Sequence, residues 1–264
     1  MTTMERVREH YEEGRAMFNA TNVVACSLQG SQNYSLDLPG SDVDTKFIIT
    51  PSFRDIALAA QPISTTHVRQ NNEHIDLKDI RSYISCFRKQ NLNFLEILFT
   101  PYSIINPLYK EQWNRLIAAR EQIAHMNPFR AVKSMKGIAL EKYHAMEHAY
   151  PSKLDVLAKY SYDPKQLHHL VRVDNYLTRY IAGVSYADCL TPEPEMKKFL
   201  LQLKRGEWDL AAARELAALT LAHVEKIADE FCAQTSDVED PAMRELLEDV
   251  CYNIMKISVK EELL

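Results

Sequence analysis

The chain has 264 residues, 46% apolar and 25% charged, with a formal net charge of −5. That balance excludes an intrinsically disordered polymer, leaves ample material for a buried core, and discourages indiscriminate nucleic-acid binding as far as the charge is evenly spread. Five cysteines, Cys26, Cys86, Cys189, Cys232 and Cys251, lie scattered without a Cys-x-x-Cys spacing, so neither a disulfide framework nor a zinc cluster is indicated. No leader-like stretch or apolar run of membrane length stands out, and a cytoplasmic protein with no membrane partner is expected. The charge is not evenly spread. Residues 106–136 carry Lys110, Arg115, Arg120, Arg130, Lys133 and Lys136 against Glu111 and Glu121, whereas the stretch from Glu225 onward is acidic. A basic middle of this kind faces a polyanion or forms a solvated helix face.

In chain order, residues 1–20 read as an amphipathic helix. Thr2 and Glu5 offer a capping box, and Met4, Val7, Tyr11 and Phe18 fall close to one face. Residues 22–28 and 42–50 read as strands joined by Gly30-Ser31 and a polar loop. Alternation on the second strand puts Asp42, Asp44 and Lys46 on one face and Val43, Phe47 and Ile49 on the other. The strand rise separates the Cα atoms of Asp42 and Asp44 by roughly 6–7 Å, near enough for both carboxylates to converge on one ion. Two such charges repel unless cations lie between them, and oxygen-only ligands suit Mg²⁺ or Mn²⁺, which share a substrate's phosphates. Gly30, lacking a Cβ, lets backbone N–H groups approach a phosphate, and Ser31 adds a hydroxyl. The Gly-Lys-Ser/Thr ending of a Walker loop and the dinucleotide fingerprint are both absent. The same residues also read as turn formers and caps. Tyr34 either stacks on a base or plugs the loop against the sheet.

Gly30-Ser31 followed by Asp42-Val43-Asp44 resembles the Gly-Ser plus Asp-x-Asp signature of the DNA polymerase beta-like nucleotidyltransferase superfamily. Within it, Gly30-Ser31-Gln32-Asn33-Tyr34 with Ser41-Asp42-Val43-Asp44-Thr45-Lys46 is similar to a bacterial and phage nucleotidyltransferase family linked to RNA repair. The resemblance continues through residues 91–99, 163–172 and 203–207. It implies an α+β fold in which a mixed sheet with flanking helices precedes a C-terminal helical bundle. It implies transfer of NMP from a nucleoside triphosphate to a hydroxyl, such as an RNA 3′ end, with release of pyrophosphate and with Mg²⁺ or Mn²⁺ as cofactor. Asp42, Asp44 and Asp76 are then the catalytic metal ligands. Gly30, Ser31, Tyr34, Ser41, Lys46, Lys165, His169 and Arg172 are the nucleotide-binding set. A nucleotide-binding or antitoxin-like partner protein, keeping the fold with little chemistry, is the other reading.

After Pro51 a short helix is expected to residue 60, then strands over 65–69 and 73–77 around a turn at Gln70-Asn71-Asn72. On the second of these Asp76 shares a face with His74, opposite Ile75 and Leu77, and so supplies a third carboxylate. Asp76 also reads as the N-cap of a helix over 77–90, with Glu73 as a substitute ligand, and a site of only Asp42 and Asp44 stays open. A helix over 92–99 places Glu96 in an apolar run, where a carboxylate must find a donor or have a task. From Pro107 onward helices are predicted over 108–125, 128–148, 151–160, 164–182, 192–204, 209–233 and 241–262, with prolines at or near five of the starts. The predicted division is a catalytic domain over 1–105 and a helical domain over 106–264 that closes the active-site cleft. Along 164–182, Lys165, His168 or His169, and Arg172 recur at i, i+3 or i+4, and i+7. That stripe suits phosphate oxygens or is a solvated face. His144 and His148 lack a His-Glu-x-x-His context and read as surface residues, and Trp113 and Trp208 read as packing anchors.

Overall fold

The computed structural model describes residues 2–18 and 22–264, so the last residues of the predicted first helix lie outside the described ones. The chain divides into two compact units, Met1–Met126 with Glu239–Leu264, and Asn127–Val238.

The first unit opens with α1 (Thr3–Ala16), whose start carries the expected capping box between Thr2 and Glu5. Then come β1 (Val23–Gln29), β2 (Asp44–Ile49), α2 (Phe53–Ala57), β3 (Ser64–Val68) and β4 (His74–Asp79). They are followed by α3 (Ile80–Arg88), α4 (Leu92–Leu95), β5 (Ser103–Ile105), α5 (Lys110–Ala118) and α6 (Arg120–Ala124). The five strands form one sheet in the order β3-β4-β2-β1-β5. Only β2 and β4 run parallel, with Lys46 opposite Asp76, while the other pairs are antiparallel. The sheet is mixed and the class α+β.

Alternation on β2 sorts the two faces. Val43, Phe47 and Ile49 join Val7, Val23, Cys26, Leu28, Ile75 and Leu77 in the core beneath α1. Asp44 and Lys46 point to the opposite face, where Lys46 Nζ lies 4.5 Å from the centre of the Phe94 ring of α4. The close approach of α1 to the sheet needs Gly14, since a Cβ there would stand 2.6 Å from the Phe47 ring.

The second unit is helical: α7 (Pro128–Ala145), α8 (Leu154–Tyr160), α9 (Pro164–Ile181), α10 (Tyr186–Leu190), α11 (Pro194–Lys204) and α12 (Leu210–Gln234). Its central helix is α9, packed against α7, α11 and α12. The last helix, α13 (Pro241–Glu262), belongs to the first unit and packs on α3 and α5. Ion pairs hold that end in place, Arg88 with Glu239 at 2.7 Å and Arg115 with Asp249 at 2.6 Å.

The division therefore differs from one near residue 105. Residues 106–126 stay with the sheet because Asn106 donates its N–H to the Val24 carbonyl at 3.0 Å and its amide to the Val23 carbonyl at 2.8 Å, the Gln90 amide donates to the Ile123 carbonyl at 2.8 Å, and Trp113 is buried. Asp76 is not a helix cap. The strand runs on to Asp79, whose carboxylate accepts from the Arg81 N–H at 2.8 Å and starts α3. The predicted helix over 92–99 is one α turn followed by a 3₁₀ turn over Glu96–Leu98, and the one over 108–125 breaks at Ala119. Trp208 packs edge-on to Phe199 with ring centres 5.7 Å apart.

Gly14→Ala should destabilise the first unit. Overpacking against a fully buried ring costs about 1–3 kcal/mol, more than the roughly 1 kcal/mol gained from helix propensity. A urea midpoint higher than that of the parent would show that Phe47 yields freely and that the contact does not set the helix–sheet spacing.

Candidate functional site

The site is built where β1 ends and β2 begins. Gly30 has φ of 134°, a conformation open to glycine, and introduces a 3₁₀ turn over Ser31–Tyr34. Asn33 holds the turn to the strand end by donating to the Leu28 carbonyl at 3.1 Å. Gln32 reaches across the loop, its amide donating to the Asp42 carbonyl at 2.7 Å. The glycine turn and the acidic pair, ten positions apart in the chain, are thus fastened to one another.

A second fastening comes from Glu73, which is 1% exposed. Its carboxylate accepts from the Val43 N–H at 3.1 Å, between the two aspartates, and from Arg69 at 2.9 Å and Asn71 at 2.8 Å. Arg6 of α1 also pairs with it, and His10 Nε2 donates to it at 3.0 Å. Because Nε2 carries the proton, Nδ1 of His10 accepts from the Thr45 hydroxyl at 3.0 Å. Arg6 donates in addition to the Ser41 carbonyl at 3.1 Å. Every residue from Ser41 to Thr45 except Asp42 and Asp44 is thereby gripped from the α1 side. Burial, aided by the positive charge of Arg69, pushes the His10 pKa down to about 4. Both oxygens of Glu73, the alternative third carboxylate, are engaged by donors.

Asp44 is 37% exposed, and its Oδ1 accepts from the His74 N–H at 2.9 Å and from His74 Nδ1 at 3.0 Å. Asp42 is exposed. Neither its carboxylate nor Oδ2 of Asp44 has a hydrogen-bond partner among the described residues. Asp76 does lie on the face of Asp44, one pair further along, but as the partner of Lys46. Asp76, the expected third carboxylate, and Lys46, expected to bind nucleotide, form an ion pair with one another here. Among the described residues no three His, Cys, Asp or Glu converge as a metal-binding group.

Other expected site residues fall elsewhere. Tyr34 is buried and donates its hydroxyl to Glu96, so it plugs the loop against the unit, and Glu96 has found its donor. The Ser41 hydroxyl oxygen accepts from the Leu38 N–H at 2.9 Å and closes a turn. Lys165, His169 and Arg172 lie on α9 in the second unit, Lys165 exposed and the other two half-buried. His144 and His148 are exposed and belong to no metal-binding group of described residues.

Two oxygen donors suit Mg²⁺ or Mn²⁺, which commonly take one or two carboxylates and complete their shell with water and substrate phosphates. A further observation agrees with this donor set. Gln32 Oε1 is buried without a partner, 3.3 Å from where a Cβ on Gly30 would stand. An acceptor so placed is open to a donor from outside the described residues. Gln32, Glu73, His74 and the α1 residues Arg6 and His10 are the parts that motif reading did not assign. Arg6 and His10, spaced i, i+4 beside the apolar face of α1, were the available signal.

No family model matches the chain, and no curated protein matches it in sequence. Among solved structures it is similar to a nucleotidyltransferase-like protein from Exiguobacterium sibiricum, at 13% identity over 98% of this chain and 78% of that one, with a TM-score of 0.29. A likeness so low decides nothing about the site. Among the described residues no helix is long and apolar enough to cross a membrane.

Glu73→Ala leaves Arg6, Arg69 and the Val43 N–H facing an empty buried space and should cost about 3–5 kcal/mol in denaturant unfolding, with Glu73→Gln costing less. Equal stability of the alanine variant and the parent would show that the grip is dispensable. His10 carries a sign that can be checked by pH. Its depressed pKa means the unfolded chain binds a proton from about pH 6.5 downward that the folded unit refuses until about pH 4, so stability falls with acidification through that window, by roughly 3 kcal/mol at most. Nitrogen NMR of the imidazole should show it neutral at pH 5, and a midpoint near 6.5 contradicts the burial argument.

Proposed function

We propose that the protein is a nucleotidyltransferase that moves NMP from a nucleoside triphosphate to a hydroxyl and releases pyrophosphate. The observation that carries this reading is the 2.7 Å bond from Gln32 to the Asp42 carbonyl, which ties a glycine turn open to phosphate to an acidic pair with unbonded oxygens. In this reading Gly30 and Ser31 receive the terminal phosphates. Asp42 and Asp44 hold Mg²⁺ or Mn²⁺. His74 keeps Oδ1 of Asp44 turned toward the sheet, which presents Oδ2. A bound ion there supplies charge neutralisation on the phosphates and lowers the pKa of the attacking hydroxyl. The chain's own contribution is positioning, through Gln32 and Glu73, of groups that would otherwise repel. The acceptor proposed, an RNA 3′ end, rests on the sequence resemblance alone.

The Lys46–Asp76 pair favours a second reading, a nucleotide-binding partner protein of the same fold with little or no catalysis, because it withholds the third carboxylate.

The test is incubation of the purified protein with each α-labelled triphosphate, Mg²⁺ or Mn²⁺, and RNA, DNA or protein acceptors. Label should move to one acceptor, and Asp42→Asn/Asp44→Asn should lower the rate by more than roughly 100-fold, beyond the loss of an outer-shell partner. Metal-dependent triphosphate binding with no labelled acceptor selects the partner-protein reading. Metal and triphosphate binding equal in parent and double variant removes both.

A further inference from the structure

The strand β3 forms one edge of the sheet, and its ladder to β4 shows which backbone groups are spent. Arg69 donates its N–H to the Glu73 carbonyl at 2.9 Å, and the Ile63 carbonyl accepts from the Asp79 N–H at 2.9 Å. Bonding alternates along a strand, so Ile63, Thr65, His67 and Arg69 turn their N–H and C=O groups to β4, while Ser64, Thr66 and Val68 turn theirs outward. Those outward groups have no backbone partner among the described residues.

Proteins ordinarily blunt such an edge with a charge, a proline, a bulge or a covering element. Along β3 the described residues supply none of these. Ser64, Thr65, Thr66 and Val68 are exposed and His67 is half-buried. The pairing with β4 has no bulge, and Pro62 falls before the strand. The opposite edge, β5, is only three residues long and half-buried throughout.

The bonding pattern of β3 reads the same in reverse. About a twofold axis at Thr66, an antiparallel second copy sets Thr66 against Thr66 and Ser64 against Val68, and every outward N–H meets an outward C=O. Side chains and charges match as well. Thr65 comes opposite His67, whose Nε2 donates to Glu13 at 2.8 Å and whose Nδ1 is then left to accept from the Thr65 hydroxyl. On the other face the Thr66 hydroxyl donates to Asp76 at 3.4 Å and the Ser64 hydroxyl accepts from Lys78, which ties the flanking charges back to β4. The closest carboxylates on that face, Asp76 of each copy, would stand three strand spacings apart, roughly 14 Å, where physiological salt screens their repulsion. A charged peptide finds no counter-charge along this edge, whereas the edge is complementary to itself.

We propose that β3 is a self-association edge whose occupant is β3 of a second copy of this chain, paired antiparallel about Thr66 into one continuous sheet. A strand of five residues covers less than the roughly 800 Å² per partner of a stable interface, so the dimer is weak, with a Kd on the order of 10–100 µM. The inference goes beyond the transfer reading and does not depend on it.

The experiment is sedimentation equilibrium of the full chain from about 5 to about 500 µM, a range that brackets this affinity, with amide hydrogen exchange at both ends of it. The parent should pass from monomer to dimer. The amides of Ser64, Thr66 and Val68 should exchange at least fivefold more slowly at the high concentration, while those of Thr65 and His67 are protected throughout. Thr66→Pro removes an N–H that β4 does not use, a place where edge strands accept proline, and should leave the chain monomeric with an unchanged melting temperature. If that variant melts early, Thr66→Lys decides, since it sets two ammoniums face to face and should give a monomer at every concentration. A parent that stays monomeric overturns the proposal, whether its outward amides exchange freely, which leaves the edge to a different extended partner, or are protected, which shows that the chain covers its own edge. A dimer whose outward amides exchange as fast as the monomer's, or one that survives Thr66→Lys, overturns it equally by placing the contact elsewhere.

Discussion

The Glu73 carboxylate ties together three parts of the first unit that are distant in sequence: α1 through Arg6 and His10, the β3–β4 turn through Arg69 and Asn71, and the start of β2 through the Val43 N–H. A carboxylate 1% exposed is tolerable only with donors on both oxygens, and here five groups supply them. The consequence for the site is directional. Val43 is drawn toward α1, and since successive side chains on an extended backbone point to opposite faces, Asp44 is turned away from it, toward His74. The acidic pair is presented by a grip applied to the residue between its two members.

The same alternation explains why α1 needs a glycine. The face that receives Val43 and Phe47 is filled by α1 at Gly14, where the Phe47 ring occupies the space a Cβ would take. Close packing here and the buried ionic cluster at Arg6 and His10 lie on one helix, two turns apart, so the register of α1 along β2 is set twice. A slip of the helix would break the Glu73 contacts and the Gly14–Phe47 approach together. Ordinary hydrophobic packing alone does not give a helix that specificity of position.

Much of this arrangement could be read before the structure was known. The capping box at Thr2 and Glu5, the antiparallel β1–β2 pair around Gly30 and the β3–β4 hairpin follow from local chemistry, and each is present. The mixed sheet followed by helices is present as well. Three-residue β5 and five-residue α10 were not legible, since neither is long enough to show a period. The compact units divide elsewhere than at residue 105. Prolines at 101 and 107 look like a domain border, whereas what keeps 106–126 with the sheet is the bonding of Asn106 to Val23 and Val24 of β1 and the return of α13, both long-range. Around the candidate site, motif spacing singles out Gly30, Asp42 and Asp44 but cannot show that Tyr34 faces Glu96, sixty-two positions away, or that Lys46 sits opposite Asp76. Registers between strands distant in the chain are invisible to any reading of one segment at a time.

That register also decides where negative charge is left over. On the outer face of β2 and β4, Asp44 meets His74 and Lys46 meets Asp76, so each acid in the ladder faces a base. Such pairs stabilise a sheet face directly and leave little net field. Asp42 lies just before the strand, exposed and outside the ladder. The uncompensated charge thus falls at the mouth of the glycine turn rather than over the strands. Under the proposed function, a divalent cation there would meet Asp42 first and would compete at Asp44 with an exposed imidazole. Reaching Asp76 would require displacing a buried lysine, which is far more costly. Under the proposed function, the electrostatics of the resting sheet point to Asp42 and Asp44, and not Asp76, as the pair that would hold a cation.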